Sequence, residues 1–315
     1  MPERKPPQAD VPGEPAPSLP KGPVVNGLLI VDKPAGMTSH DVVARVRRAT
    51  GESSIGHLGT LDPMATGVLP LLLGKYTRLA QFYGSHAKTY TGAIRFGFST
   101  DTYDAEGKPT SEPRPALFSL EQVRAAAAAF SGEMDQLPPP ISAKKIDGKP
   151  AYKIARAGGV PKLKTARVRI DEFSVSAMDG ELAVFRMRIS AGGYVRSVAH
   201  ELGQSLGTGA HLASLRRVES GPFRIEDALP LDEVEAFAGA GSLLTHMPHP
   251  RTILPELPAV TADEETVGRM RNGMQINLPE FTQAPLVKIF LGQRELVGIG
   301  KRVAGTLFQP TVVLV

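Results

Sequence analysis

Apolar residues fall along the chain in short runs whose period changes from place to place, and the period predicts the elements. Leu28-Leu29-Ile30-Val31 is an apolar run of strand length, stopped by the turn chemistry of Asp32-Lys33-Pro34-Ala35-Gly36. Thr38 or Ser39 then caps a helix with Val42, Val43 and Val46 as its buried stripe and Arg45, Arg47 and Arg48 toward solvent. Val68 to Leu73 reads as a buried strand, and Thr77 to Tyr83 as a short helix packing Leu79 and Phe82. Tyr90, Ile94, Phe96 and Phe98 share one face of the next strand by period two. Ser119-Leu120-Glu121-Gln122 is a capping box opening an Ala-rich helix that ends at Ser131-Gly132.

The second half continues in the same way. Two strands meet at Asp179-Gly180, with Val168, Ile170 and Val175 on one arm and Ala183, Phe185, Met187 and Ile189 alternating on the other. Val195, Val198, Leu202 and Leu206 form a helical stripe that stops at Gly207, so Tyr194 and Arg196 stand at a strand-to-helix junction. A strand near Val218, a helix from about Leu231 to Phe237 and a Gly/Pro-rich bridge through roughly Leu254 follow. Beyond the bridge, Thr261-x-x-Glu264 reads as a capping box for a helix ending at Asn272-Gly273. Short runs at 274–278, 286–291, 295–299 and 311–315 suggest a β-rich module of about 60 residues. Residues 1–24 are rich in Pro and without apolar period, a composition that predicts a disordered tail.

At 315 residues and 42% hydrophobic, the chain is long enough for two domains. It contains no cysteine, which excludes disulfides, thiolate nucleophiles and thiolate zinc sites and fits a reducing cytoplasm. No run approaches the roughly 18 apolar residues of a membrane span, and the N-terminus lacks a signal-peptide core. Net charge is only +4, but it is unevenly spread. Lys144, Lys145, Lys149, Lys153, Arg156, Lys162, Lys164, Arg167 and Arg169 face a single acid, Asp147, between Ser142 and Arg169. Such a run suits a polyanion, with a solvated basic loop as the bland alternative. Gly148, Gly158 and Gly159 mark the segment as a mobile excursion from the core.

Candidate chemistry centres on Gly56-His57-Leu58-Gly59-Thr60-Leu61-Asp62-Pro63, where a carboxylate stands between a glycine and a proline in an irregular loop. Gly74-Lys75 is no phosphate-binding loop, because Tyr76 stands where Ser or Thr is needed and Leu69 where the leading Gly should be. Asp101 to Gly107 lacks the closing Glu of an EF-hand and reads as a turn. His200-Glu201 lacks the second His of a zinc-protease helix, so no metal is indicated.

Taken together, these stretches resemble the bacterial tRNA pseudouridine-55 synthases of the TruB family. The resemblance is carried by Asn26-Gly27 with Asp32-Lys33-Pro34, the run from Gly56 to Gly67, Lys88-Thr89-Tyr90, and Thr100-Asp101-Thr102 with Asp104 and Gly107. It continues in Gln136-Leu137-Pro138, Ser142-Ala143-Lys144, Gly148-Lys149, Gly193-Tyr194-Val195-Arg196-Ser197, Gly209-Ala210-His211 and Leu215-Arg216-Arg217. One departure is Leu58, where the family usually carries Thr in Gly-His-Thr-Gly.

The resemblance implies an α+β fold: a catalytic domain over residues 25–250 with a mixed, largely antiparallel sheet, a basic RNA-clamping insertion at about 138–167, and a small PUA-like RNA-binding domain over 251–315. It implies isomerisation of the T-loop uridine of tRNA by a cytoplasmic, monomeric enzyme that needs neither cofactor nor metal. Asp62 would be the catalytic carboxylate, held ionised by Arg196, with Tyr90 stacking on the extruded base and Tyr194 and Leu215 lining the pocket. His57, Lys88, Lys144, Lys145, Lys149 and Arg156 would contact the T-arm stem-loop. Two alternatives stay open on residues alone: a catalytically silent RNA-binding or tRNA-folding protein on the same scaffold, and a glycosidase, for which no second carboxylate is placed.

Overall fold

A computed structural model describes residues 25–142, 145–146, 149–150, 154, 159, 163–279 and 283–315. The expected N-terminal tail, and Lys144 and Arg156 of the basic insertion, lie outside the described residues.

The first half forms β1 (Gly27–Lys33), α1 (Ser39–Thr50), β2 (Ile55–His57), β3 (Thr66–Leu73), β4 (Lys88–Phe96), α2 (Leu120–Ala128) and β5 (Gly132–Gln136). Then come β6 (Lys145–Ile146), β7 (Lys149–Pro150), β8 (Ala166–Asp179), β9 (Leu182–Ile189), α3 (Val195–Ser205), β10 (Ala210–Ser220), β11 (Phe223–Arg224), β12 (Leu229–Pro230) and α4 (Leu231–Gly239). The last stretch holds β13 (Ala259–Ala262), α5 (Glu264–Arg271), β14 (Ile276–Asn277), β15 (Leu286–Leu291), β16 (Glu295–Ala304) and β17 (Leu307–Val313).

The main sheet runs β12-β1-β3-β10-β4-β9-β8-β5, with β11 paired to β10 and β2 to β3. Only β1/β12 and β3/β10 are parallel, so the sheet is mixed and largely antiparallel, as the resemblance implies. Alternation decides which face each residue covers. Leu29 and Val31 of β1, Leu69, Leu71 and Leu73 of β3, and Tyr90, Ile94 and Phe96 of β4 join one core with the apolar faces of α1, α2, α3 and α4. The opposite face carries Leu28, Ile30, Val68 and Leu72, and onto it pack Phe290, Leu296, Ile299, Val312 and Leu314 of the C-terminal module. That module is a five-stranded sheet, β13-β15-β16-β17-β14, with a further core of its own around Met270, Ile289 and Phe308.

Several local expectations shift. The first strand continues through Lys33 rather than stopping at Val31, because Lys33 keeps pairing with Gly67 of β3. Phe98 lies beyond the end of β4. The two-residue hairpin loop is Gly180-Glu181, since Asp179 already pairs with Leu182. The strand near Val218 starts at Ala210, long before the expected position. Thr261 is a strand residue paired with Phe290, and the C-terminal helix is capped by Asp263, whose carboxylate accepts the Thr266 amide at 2.8 Å. Arg167 and Arg169 belong to β8 and are neutralised there by Glu133, Asp135 and Asp171, so they are not part of a free basic arm. Among the described residues no helix is long and apolar enough to cross a membrane.

Candidate active site

Strand register explains why distant residues meet. β10 lies between β3 and β4, with Arg217 opposite both Gly67 and Tyr90. Tyr90 pairs on its other side with Met187 of β9, and β9 leads through Ser190 to Gly193 into α3. The loop before β3, the start of β4, the middle of β10 and the first turn of α3 therefore surround one space. That space is a cavity of about 320 Å³ lined by Asp62, Lys88, Tyr90, Tyr194, Arg196 and Leu215, among others. It is of the size that takes a small organic group rather than a solvent ion.

The Gly59–Pro63 backbone is held from three sides. Buried Arg217 donates from Nε to the Val68 carbonyl at 2.7 Å and from Nη2 to the Gly59 carbonyl at 3.0 Å. Ser39 Oγ accepts the Leu61 amide at 2.8 Å and donates to the Leu61 carbonyl at 3.2 Å. The Pro63 carbonyl accepts from the Gly36 amide at 2.9 Å and from Lys33 Nζ at 3.1 Å. Lys33 also donates to the carbonyls of Pro34 and Met37, and burial pushes its ammonium down to about 8. Gly67 follows at φ +102, where a Cβ would stand 2.2 Å from the Arg217 carbonyl oxygen, so the close approach of β3 to β10 requires glycine.

Leu58 explains its own departure from the family pattern. Its amide donates to the Pro70 carbonyl at 2.9 Å, extending the β2/β3 pairing. Its side chain packs against the apolar cluster around Val68 and Leu72, away from the cavity. An aliphatic side chain suits that face, and the loop keeps its course.

Arg196 occupies the second position of α3 and is almost fully buried, with 6% of its side chain exposed. Its Nη2 donates to Asp62 Oδ1 at 3.0 Å, and its Nε lies 2.9 Å from Oδ2, close enough for an ion pair though not aligned as a hydrogen bond. Its Nη1 donates to the Thr102 carbonyl at 2.9 Å and stands 3.5 Å from Oδ2 of buried Asp104. One guanidinium thus serves two acids, and Asp62 alone shows a substantial part of its side chain, 33%, to solvent. Burial raises the Asp62 carboxyl above its ordinary range; Arg196 opposes the rise, Asp104 adds to it, and Lys33 opposes it more weakly. The partner expected for Asp62 is present, but the net direction is upward, because the carboxylate's setting in the protein wall and the neighbouring Asp104 charge together outweigh the guanidinium.

The junction at Tyr194 is fixed by Gln136, whose buried amide accepts the Tyr194 N–H at 2.7 Å and donates to the Tyr194 carbonyl at 3.0 Å. Burial raises the Tyr194 phenol and lowers the Lys88 ammonium. Lys88 donates to the His86 carbonyl at 3.0 Å, with its stem beside Gly59. His57 does not line the cavity; it is half-buried at the end of β2, edge-on to His40 at 6.4 Å. Lys145 and Lys149 lie in the paired strands β6 and β7. Among the described residues, no group of His, Asp and Glu side chains is arranged to hold a metal ion.

Sequence reasoning placed none of Asp104, Ser39, Gln136, Lys33 and Arg217 at the site, Ser39 being read only as a candidate helix cap, although the first and the last three lie in the stretches that carry the resemblance. Period two held a signal for two of them: Lys33 continues the buried face of Leu29 and Val31, and Arg217 that of Leu215.

Comparison with known proteins agrees with the geometry. Residues 47–195 match the model of the TruB family pseudouridylate synthase N-terminal domain, and residues 196–250 that of the tRNA pseudouridylate synthase B C-terminal domain. The tRNA pseudouridine synthase B of Solibacter usitatus (strain Ellin6076) is 44% identical over 293 residues, 92% of this chain and 100% of the relative. That of Thermobifida fusca (strain YX) is 40% identical over 299 residues, 92% of this chain and 99% of the relative. A chain in the crystal structure of a Cbf5-Nop10-Gar1 complex superposes with a TM-score of 0.67 at 25% identity, covering 92% of this chain and 85% of that one. The chain belongs to the TruB family and is a tRNA pseudouridine synthase, an isomerase.

Proposed function

We propose that the enzyme isomerises the uridine at position 55, in the T-loop of tRNA, with Asp62 as the catalytic carboxylate. The observation that carries this reading is the Asp62–Arg196 pair at the wall of a cavity that also presents Tyr90, Tyr194 and Leu215. The reaction breaks the N1–C1′ bond, turns the uracil and joins C5 to C1′; the C5 proton is lost to water and N1 takes up a proton, so that atoms balance. A stacked base cannot reach such a cavity, so it must be extruded from the folded RNA at a cost of a few kcal/mol. The face of Tyr90 recovers about 1 to 3 kcal/mol by stacking on it.

Asp62 acts on the sugar, either as nucleophile at C1′ or as base, and both routes use the ionised carboxylate. Its raised pKa favours both, because a desolvated carboxylate is a stronger nucleophile and a stronger base than one in water. Arg196 orients it, Tyr194 and Leu215 bound the base, and Lys88, which also lines the cavity, binds the RNA. His57 meets the rearranged loop outside the cavity. The insertion at about 138–167, with Lys144, Lys145, Lys149 and Arg156, clamps the stem, and the module over 251–315 adds PUA-like contacts to the catalytic domain over 25–250.

Tritium release from C5-labelled uridine in a T-arm stem-loop tests the reading. Wild-type protein should release label and Asp62→Asn should not. Binding without release by the wild type would favour a silent binder on the same scaffold.

A further inference from the structure

Helix α3 offers the 100–108 loop two side chains on successive turns. Arg196 donates to the Thr102 carbonyl, and His200, four residues on and so on the same face, lies flat against the ring of Tyr103. The ring centroids are 3.8 Å apart and the planes 8° from parallel. Tyr103 has φ 63, a left-handed conformation that a non-glycine residue keeps only where its surroundings compel it. The loop has other constraints too: the Tyr103 carbonyl accepts the Leu212 amide of β10 at 3.0 Å, the Ala105 amide donates to the Leu212 carbonyl at 3.0 Å, and the Tyr103 amide donates to the Thr100 carbonyl at 3.3 Å. The Asp104 carboxylate accepts from Thr102 Oγ1 at 2.5 Å and the Glu106 amide at 3.1 Å, and Gly107 sits so close that a Cβ would stand 2.2 Å from Thr102 Oγ1.

The unusual φ matters because the Thr102 carbonyl belongs to the peptide plane that turns about it. Returning Tyr103 to negative φ swings that carbonyl off Arg196 Nη1 and shifts Asp104, which follows directly. His200 Nδ1 is buried with no hydrogen-bond partner among the described residues, so no bond at that nitrogen fixes the ring against Tyr103. Neither Tyr103 nor His200 lines the cavity.

We propose that the Tyr103–His200 stack is a positioning element of the enzyme: it holds the strained 102–103 peptide toward Arg196, and so fixes the guanidinium against Asp62. The inference rests on the reading of Asp62 and Arg196 as the reacting pair. It assigns to two residues outside the cavity an effect on the chemical step and none on RNA binding.

The test compares His200→Ala, His200→Phe, Tyr103→Ala and Tyr103→Gly in the full chain. Single-turnover tritium release at saturating T-arm RNA and RNA affinity are measured alongside thermal melting. Losing the stack should slow release about two- to tenfold in His200→Ala and Tyr103→Ala, the range expected for one aromatic pair, with unchanged affinity. His200→Phe keeps a flat ring and should restore the rate. Tyr103→Gly adopts the left-handed conformation without strain and should be slowed less than Tyr103→Ala. The double alanine variant should be no slower than the slower single one. Wild-type rates in folded variants, weakened RNA binding at an unchanged rate, or a His200→Phe as slow as His200→Ala would each overturn the proposal. If His200→Ala does not fold, His200→Phe and the two Tyr103 variants decide. Asp62→Asn and Arg196→Lys run in the same assay separate the two levels. Wild-type rates in those two would remove the underlying reading, whereas their loss with unaffected stack variants would remove this inference alone.

Discussion

Arg196 Nη2 meets Asp62 Oδ1 at 3.0 Å across 134 positions of sequence, and the same guanidinium reaches Thr102 and Asp104 with its other amino group. A planar fork is needed to face two directions at once, and an ammonium cannot replace it. Arg196→Lys should keep the charge but lose one set of contacts. The expected result is a fall in single-turnover rate of roughly 10²-fold, in the range for removal of one preorganised donor, with RNA affinity unchanged. Rate and affinity measured on the same preparations check this; a rate within threefold of wild type would mean that charge alone suffices.

Asp104 pushes the Asp62 carboxyl up, so removing its charge should bring that carboxyl down. Chemistry that needs ionised Asp62 is lost as pH falls through the Asp62 pKa. Asp104→Asn should therefore move the acid limb of the single-turnover pH profile toward lower pH, even as the plateau drops because Arg196 is less well held. An acid limb at the wild-type position, in a variant that still turns over, would show that the two carboxylates do not sense each other.

Arg217 is a fully buried cation whose hydrogen bonds all go to backbone carbonyls, those of Val68, Gly59 and, at 3.5 Å, Thr60. Cutting it to Ala leaves these acceptors without their donor beside a cavity. At about 1 kcal/mol or more for each buried group left unpaired, Arg217→Ala should lose about 3 kcal/mol of stability and disorder the loop that carries Asp62. Denaturant unfolding at neutral pH measures the loss, and a change under 1 kcal/mol would show that water replaces the guanidinium without cost.

How much of this was legible in the sequence differs from residue to residue, for physical reasons. The β1 and β3 strands announce themselves as unbroken apolar runs because both of their faces are buried, whereas β8, β9 and the α1, α2 and α3 helices each bury one face, and that burial imprints its period. Tyr90 and Arg196 could be located on their elements by the same logic. Asp104 could not: it sits in a polar loop with no period, and it is buried only once that loop bridges to Leu212 of β10 and meets Arg196 of α3. Thr261 misled because a capping pattern scores the same whether or not a strand claims its first residue, and here parallel pairing with β15 does. Leu58 looked anomalous as a residue in a catalytic motif and becomes ordinary once the pairing with Pro70 turns it toward the apolar face. The direction of the Asp62 shift was beyond sequence altogether, since it depends on how burial and the Asp104 charge balance against Arg196.

The basic insertion makes a prediction of a different kind, because its contribution is read from salt rather than from rate. Of the nine cations between Ser142 and Arg169, Arg167 and Arg169 are already paired on β8, which leaves Lys144, Lys145 and Lys149 among those expected to meet phosphate. Each phosphate neutralised releases counterions and contributes roughly 0.7 to 0.9 to the slope of log K against log salt. Lys144→Ala combined with Lys149→Ala should weaken binding of the T-arm stem-loop and flatten that slope by about 1.4 to 1.8, twice the single-contact value. Tritium release at saturating RNA should stay near wild type, because the role proposed for the two lysines is in binding the stem and not in the chemical step. A titration series at several salt concentrations decides the point: weaker binding with an unchanged slope would mean that the two lysines act through the fold of the insertion and not through phosphate.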